Sequence, residues 1–189
     1  ILATKHNLIY LKFCHVLKAI VFKEKWNRFS HYLRNILQND IACLCITPSL
    51  CRRLIYNWLG HNVKGVVFPH CFLGVAKGKL TLGQNSFINY SCFLDLSNDI
   101  IIGDGVSIAF KTIFINASHE IGPIEHRAGK GINAPIRIED GCWIGANVTI
   151  MPGVTIAKGC IIGAGTLVTE DTEENGIYVG IPARLIRKL

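Results

Sequence analysis

No uninterrupted apolar stretch in this 189-residue chain reaches the roughly 18–20 residues that a membrane-spanning helix needs. An integral membrane protein is therefore not expected. Charge is scarce as well: 17% of residues are Asp, Glu, Lys or Arg, while half are apolar. That balance excludes a disordered chain, because there is ample apolar surface to bury and little self-repulsion. The length suits one domain, or a compact domain with an arm. The eight cysteines include no Cys-x-x-Cys pair, and Cys43-x-Cys45 has no second pair at zinc-finger spacing. A chain this long and apolar needs no disulfide staples. Cys71, Cys92, Cys142 and Cys160 read as buried thiols rather than metal or redox groups, and the chain as one from a reducing compartment, the cytoplasm.

The C-terminal two thirds also lack any charge excess. Residues 1–60 hold nine Lys or Arg and only Glu24 and Asp40 as acids, whereas residues 61–189 hold eleven of each sign. The whole +7 therefore sits on the N-terminal third. Nucleic-acid binding could be read from an isoelectric point of about 9.1, but the neutral portion carries no nucleic-acid motif and that partner is not expected. A basic arm fits contact with an acidic partner, or a weak approach to an anionic membrane surface.

Three helical segments come first, within residues 1–60. Residues 8–22 are apolar on most sides, with Lys12, His15 and Lys18 as a narrow basic stripe. They suit packing against protein, with the bilayer interface as the alternative. Trp26, Phe29, Tyr32, Leu33, Ile36 and Leu37 form a second stripe at helical spacing. In the third segment Thr47 can cap and Pro48 suits the first turn. Leu50, Leu54, Ile55, Trp58 and Leu59 are expected to be its buried face, and Gly60 its stop.

From about residue 66 the period changes. Ile138, Ile144, Ile150, Ile156, Ile162 and Val168 place an aliphatic residue at every sixth position, and Cys142, Val148, Val154, Cys160 and Thr166 follow four places on. The phase also appears in Leu82, Ile88 and Leu94, and in Ile102, Ile108 and Phe114. Neither a helix nor an ordinary strand repeats every six residues; a chain turning a corner every six residues does. The picture is a three-faced prism of short strands spanning 61–189, each coil rising by about 4.8 Å. Ile138 should stack under Ile156, Ile144 under Ile162, and Ile150 under Val168, with Gly103, Gly145 and Gly163 placed for the turns.

The period breaks twice. Two extra residues lie near Asn98 and Asp99, and between Phe114 and Ile138 the pattern gives way to a Gly- and Pro-rich excursion at about 120–134. A long loop on a rigid solenoid is usually functional. Its root reads Asn116-Ala117-Ser118-His119. Imidazole has the pKa to take a proton from a hydroxyl near neutrality, so His119 is the candidate general base.

Three stretches, FINASHE, APIRIEDGCWIGANVTIMPGVTIAKGCIIGAGTLVTED and VGIPARLIRKL, resemble the hexapeptide-repeat acyltransferases, and most closely the bacterial sugar O-acetyltransferases of the galactoside, maltose and polysaccharide kind. The resemblance implies a mainly β fold, a left-handed parallel β-helix behind an N-terminal α-helical segment. It implies acetyl-CoA as donor, no metal, a sugar-type acceptor, and a homotrimer with active sites between subunits. By position, His119 matches the catalytic base and Asn89 an acceptor-holding asparagine. Asp95 is the nearest substitute for a carboxylate that those enzymes carry slightly further on, as acceptor contact or His orienter. Trp143, Ala146, Ala164 and Thr169 match donor contacts, with the Ala146 N–H on the thioester oxygen. Arg184, Arg187 and Lys188 suit the CoA phosphates.

Three alternatives differ at identifiable residues. Serine acetyltransferases need a histidine in the Phe93-Leu94-Asp95-Leu96 segment, where leucine stands. A γ-type carbonic anhydrase needs three zinc histidines, and His119 and His126 are seven apart with no convincing third before them. A non-catalytic scaffold would leave His119, Trp143 and the basic terminus without a purpose.

Overall fold

The computed structural model describes residues 29–189. The helix expected at 8–22, Trp26 and Cys14 lie outside the described residues. From Asn62 onward the chain winds as a parallel β-solenoid with three faces. The first face stacks Asn62–Val63, Leu80–Leu82, Ile100–Ile102, Ile136–Ile138 and Thr155–Ile156. The second runs from Val66–Val67 up to Gly176–Val179 and gains the antiparallel strand Arg184–Lys188 at its end. The third stacks Phe72–Leu73, Phe93–Leu94, Ile113–Phe114, Thr149–Ile150 and Leu167–Val168. The six-residue period fixes the register: Ile138 pairs with Ile156, Ile144 with Ile162, and Ile150 with Val168. These side chains, with Cys71, Cys92, Cys142 and Cys160, fill the interior. All seven cysteines among the described residues are free thiols.

The turning residues differ from those expected. Left-handed φ recurs at Gly141, Asn147, Gly153, Gly159 and Gly165, again every sixth position. Gly103, Gly145 and Gly163 are not left-handed; they permit neighbouring coils to touch. At Gly145 a Cβ would stand 2.6 Å from the Ala164 nitrogen and 2.8 Å from the Ile162 oxygen. The two extra residues after Leu94 are absorbed by Leu96, which takes φ 55° and points its side chain fully inward.

The helical part corrects the sequence reading. Helix α1 covers 29–41 and ends in a π-helical turn, Ile36–Ile41. Helix α2 is Ser49–Trp58, with Pro48 at the N-cap position; the Thr47 hydroxyl instead donates to the Ile41 carbonyl at 2.7 Å. The face expected to be buried is largely exposed: Leu50 is 54%, Leu54 58% and Trp58 75% accessible. Phe29, Tyr32 and Leu33 of the second stripe are exposed too. What turns inward is polar: Gln38, Arg52 and His61, together with Tyr56.

The physical reason is the first coil's lower edge. Among the described residues no coil lies beneath it, so its backbone groups need partners from side chains. Gln38 Nε2 donates to the carbonyls of Leu73 (2.7 Å) and Gly74 (3.2 Å). Asn39 Nδ2 donates to the Leu73 carbonyl, and its Oδ1 accepts from the Leu73 N–H. Arg52 donates to the carbonyls of Ala42, Leu44, Thr47 and Val67. Leucines could satisfy none of these, so apolar patterning alone misplaces the helix.

His61 completes the cap. The Leu80 N–H donates to its Nδ1 at 3.0 Å, so Nε2 carries the proton and donates to Gln38 Oε1 at 3.0 Å. Burial, reinforced by the charges of Arg34 and Lys79, lowers its pKa from 6.5 to about 4. The folded protein thus holds this ring neutral where the unfolded chain would protonate it. Stability from this group is complete above pH 6.5 and is lost as pH falls toward 4. A shift from 6.5 to about 4 corresponds to about 3 kcal/mol. Urea titrations at pH 7 and pH 4.5 should show most of that loss, and His61→Asn should flatten it.

Candidate active site

The excursion is an antiparallel hairpin rather than an irregular loop. Ala117–Ile121 pairs with Ala128–Asn133 in the register Ala117 to Asn133, Ser118 to Ile132 and His119 to Gly131, with a bulge between His119 and Ile121. It leaves the prism at the edge between the third and first faces. Polar contacts pin its root: the Ala134 N–H donates to the Asn116 carbonyl at 3.0 Å, and Asn98 Nδ2 to Asn133 Oδ1 at 2.8 Å. His126 sits in the exposed turn.

The His119 ring is exposed, with Nδ1 at 2.9 Å from the Gly129 carbonyl. A carbonyl only accepts, so Nδ1 carries the proton and Nε2 keeps a free lone pair directed away from the hairpin bond. A side chain at Gly129 would crowd the opposite strand, its Cβ 2.9 Å from the Glu120 carbonyl. The group that orients the base is therefore a backbone carbonyl held by the strand pairing. Sequence reasoning missed it; glycine at 129 and 131 was the available signal.

Asp95 does not reach His119 through any hydrogen bond. Its Oδ1 accepts from the Ser97 hydroxyl at 2.7 Å and its Oδ2 from the Asn116 N–H at 3.2 Å. It braces the hairpin root. Asn89 lies at the other end of the third face, where its Oδ1 accepts from the Tyr90 N–H at 2.8 Å.

The sequence-derived residues fall into two groups. Asp95, His119 and the exposed Thr169 occupy the edge between the third and first faces. Asn89, Ala146 and Ala164 occupy the edge between the second and third faces, beside Trp143, which projects from the second face and is 57% exposed. A six-residue face spans up to about 20 Å at about 3.3 Å per residue. Within one chain, His119 and Ala146 therefore lie on opposite edges of the third face.

The Ala146 edge is narrow and bare. Gly145-Ala146 stacks on Gly163-Ala164, so these positions present only methyl groups, with the exposed Asn147 beside them. The Ala146 carbonyl accepts from the Gly165 N–H at 2.8 Å, and among the described residues the Ala146 N–H meets no acceptor.

Arg184, Arg187 and Lys188 lie on the exposed last strand, paired with Gly176–Val179. Lys188 Nζ is 2.6 Å from Glu173 Oε2. That hydrogen bond and the charge behind it raise the lysine and lower the carboxylate from their usual ranges. Lys188 is engaged with Glu173, whereas Arg184 and Arg187 have no carboxylate partner among the described residues. Among the described residues, no three His, Cys, Asp or Glu side chains are grouped to hold a metal ion. No described helix is long and apolar enough to cross a membrane.

Comparison with known proteins agrees with this architecture. Residues 135–170 match the family described as "Bacterial transferase hexapeptide (six repeats)". The chain is similar to a hexapeptide-repeat acetyltransferase from Vibrio cholerae O1 biovar eltor, whose crystal structure is a complex with acetyl coenzyme A. The two share 35% identity and a TM-score of 0.67, over 80% of this chain and 85% of that one. A maltose O-acetyltransferase from Clostridium difficile 630 is 30% identical, with a TM-score of 0.67 over 86% of each chain. The galactoside O-acetyltransferase of Lactococcus lactis is 34% identical over 135 residues, which is 71% of this chain and 64% of that enzyme. With two other curated relatives the alignment spans 52% and 53% of their length. By its repeat, its fold and this likeness, the chain belongs to the hexapeptide-repeat acetyltransferases.

Proposed function

We propose that the protein is an O-acetyltransferase that moves an acetyl group from acetyl-CoA to a hydroxyl of a sugar or polysaccharide precursor. The observation that carries this reading is His119: an exposed imidazole whose Nδ1–H is fixed on the Gly129 carbonyl, leaving Nε2 as a base. In this reading the acceptor hydroxyl gives its proton to Nε2 as its oxygen attacks the thioester carbonyl. A C–O bond forms, the unpartnered Ala146 N–H stabilises the oxygen that gains charge, and the C–S bond breaks. The imidazolium then passes its proton to the departing CoA thiolate, giving free CoA and the acetyl ester.

His119 and Ala146 occupy opposite edges of one face, so the reaction needs His119 of one chain beside the Ala146 edge of another. A homotrimer, with three such junctions, is the assembly we propose. The bare Gly-Ala edge suits the slender pantetheine arm, with Trp143 and Ala164 beside it and Thr169, Arg184 and Arg187 as further donor contacts. Asn89 would hold the acceptor hydroxyl, and Asp95 would act through the hairpin root. Unpaired thiols, including exposed Cys45 and Cys51, support a cytoplasmic location.

The direct test is thiol release from acetyl-CoA across a panel of mono- and oligosaccharides, with serine as the competing acceptor class. Release with a sugar supports the reading, and release with serine alone overturns it. A second measurement addresses the donor end. Arg187→Ala should weaken CoA by about tenfold, as expected for one charge-assisted phosphate contact, and should weaken 3′-dephospho-CoA less. Equal weakening of both would contradict a role at the 3′-phosphate.

A further inference from the structure

A cavity of about 400 Å³ opens between α1 and the corner at 74–79, lined by Ser30, His31, Arg34, Val75, Ala76 and Lys77. That size is within the range of small-ligand sites, about 300–1,000 Å³. Its described charged lining is cationic throughout.

Arg34 is the notable member. Its Nε is buried and has no hydrogen-bond partner. Its Nη2 stands 3.4 Å from His61 Nε2, but that nitrogen already carries a proton and donates it to Gln38 Oε1. A guanidinium facing another donor gains nothing from it. Among the described residues Arg34 has no carboxylate partner, the ion pair there being Lys188 with Glu173. Arg34 is half-buried, and a partly desolvated cation without a carboxylate partner among the described residues favours an anion beside it. Lys77 adds an exposed ammonium at the cavity rim, and the combined charge of Arg34 and Lys79 is felt by His61.

The location connects the cavity to the site above. Residues 74–79, 95–99 and the hairpin root occupy the same edge of the prism in successive coils. The Gly74 N–H donates to the Leu94 carbonyl, the Asp95 N–H to the Phe114 carbonyl, and Asn98 Nδ2 to Asn133 Oδ1. The cavity therefore sits two coils, or about 10 Å at ~4.8 Å per coil, from the root of the strand that bears His119. A sugar ring with one substituent spans such a gap.

We propose that this cavity holds a phosphoryl group of the acceptor, so that the sugar brought to His119 is a phosphorylated one. The proposal rests on the acetyl-transfer reading and supplies its acceptor class. A planar guanidinium with free N–H donors matches phosphate oxygens, and a flexible ammonium at the rim adds charge.

The test uses inorganic diphosphate as the probe, titrated calorimetrically into the full chain at roughly 150 mM salt, where diffuse surface attraction is screened. Saturable binding is expected, weakened by about tenfold or more in Arg34→Gln and in Lys77→Glu. Lys77 is exposed, so its variant reports on the site even if Arg34→Gln disturbs the cap. In transfer assays the wild-type preference for a hexose 1-phosphate over its methyl hexoside should collapse by a similar factor in both variants. Diphosphate binding that is absent, or unmoved by both substitutions, overturns the proposal. So does binding to phosphatidylglycerol vesicles through Arg34 and Lys77 with no response to soluble diphosphate, which would make the cavity a lipid-headgroup contact. A chain that binds diphosphate but transfers no acetyl group overturns the transfer reading alone. One that acetylates neutral sugars with no diphosphate response overturns this proposal alone.

Discussion

Replacing His119 with alanine should lower kcat by about 10²–10⁴-fold, the usual contribution of a positioned general base, while leaving the affinity for CoA within about a factor of two. The separation follows from the architecture. His119 stands on a hairpin at one edge of the prism, and the bare Gly-Ala edge that suits the donor is a full face away on the same chain. Removing the imidazole takes away the proton acceptor and one hydrogen bond to the Gly129 carbonyl. That carbonyl faces solvent-exposed hairpin, so water can replace the ring and the strand pairing remains. Stopped-assay kinetics and CoA titration on the same preparation check the claim. A loss of CoA affinity parallel to the loss of turnover would place His119 in donor binding instead.

The largest expected effect on stability is at Arg52. Arg52→Met keeps an unbranched stem of similar length but removes donors to the carbonyls of Ala42, Leu44, Thr47 and Val67. Each buried carbonyl left without a partner costs about 1–3 kcal/mol. Two of the four bonds are only part-buried and water can take them over. A net loss of about 3–5 kcal/mol is therefore expected, a large share of a typical domain's stability. Urea unfolding of the variant and parent at pH 7 measures it. A loss below about 1 kcal/mol would mean that water repairs all four carbonyls, and that the cap holds chiefly through Tyr56 and the other apolar contacts.

The solenoid was legible because its signal repeats. Ile138, Ile144 and Ile150 predict their own partners one coil up, and the pairs form as read. The glycines show the limit of that reading. A glycine beside a corner can serve φ or contact, and only the position of the neighbouring coil separates Gly141 from Gly145. The helices were misread for a related reason. An apolar stripe at Leu50, Leu54 and Trp58 signals burial only if apolar surface awaits it, whereas the solenoid offers a row of backbone carbonyls. Gln38 and Arg52 meet that need, His61 accepts the Leu80 N–H beside them, and nothing in local periodicity marks any of the three. The candidate base was visible as a histidine at the root of an interruption. Its orientation by Gly129 was not, because a pairing ten residues away depends on the hairpin register.

The capped first coil also decides how copies of this chain can associate. A ladder of parallel strands whose last rung is open can accept another ladder, and growth in that direction ends in filaments. Here Gln38, Asn39 and Arg52 occupy the open rung, and at the far end the strand Arg184–Lys188 runs antiparallel across the second face. Side chains on that rung stand where a second ladder would have to pair, which disfavours axial growth from the first coil and leaves the sides of the prism for contact between copies.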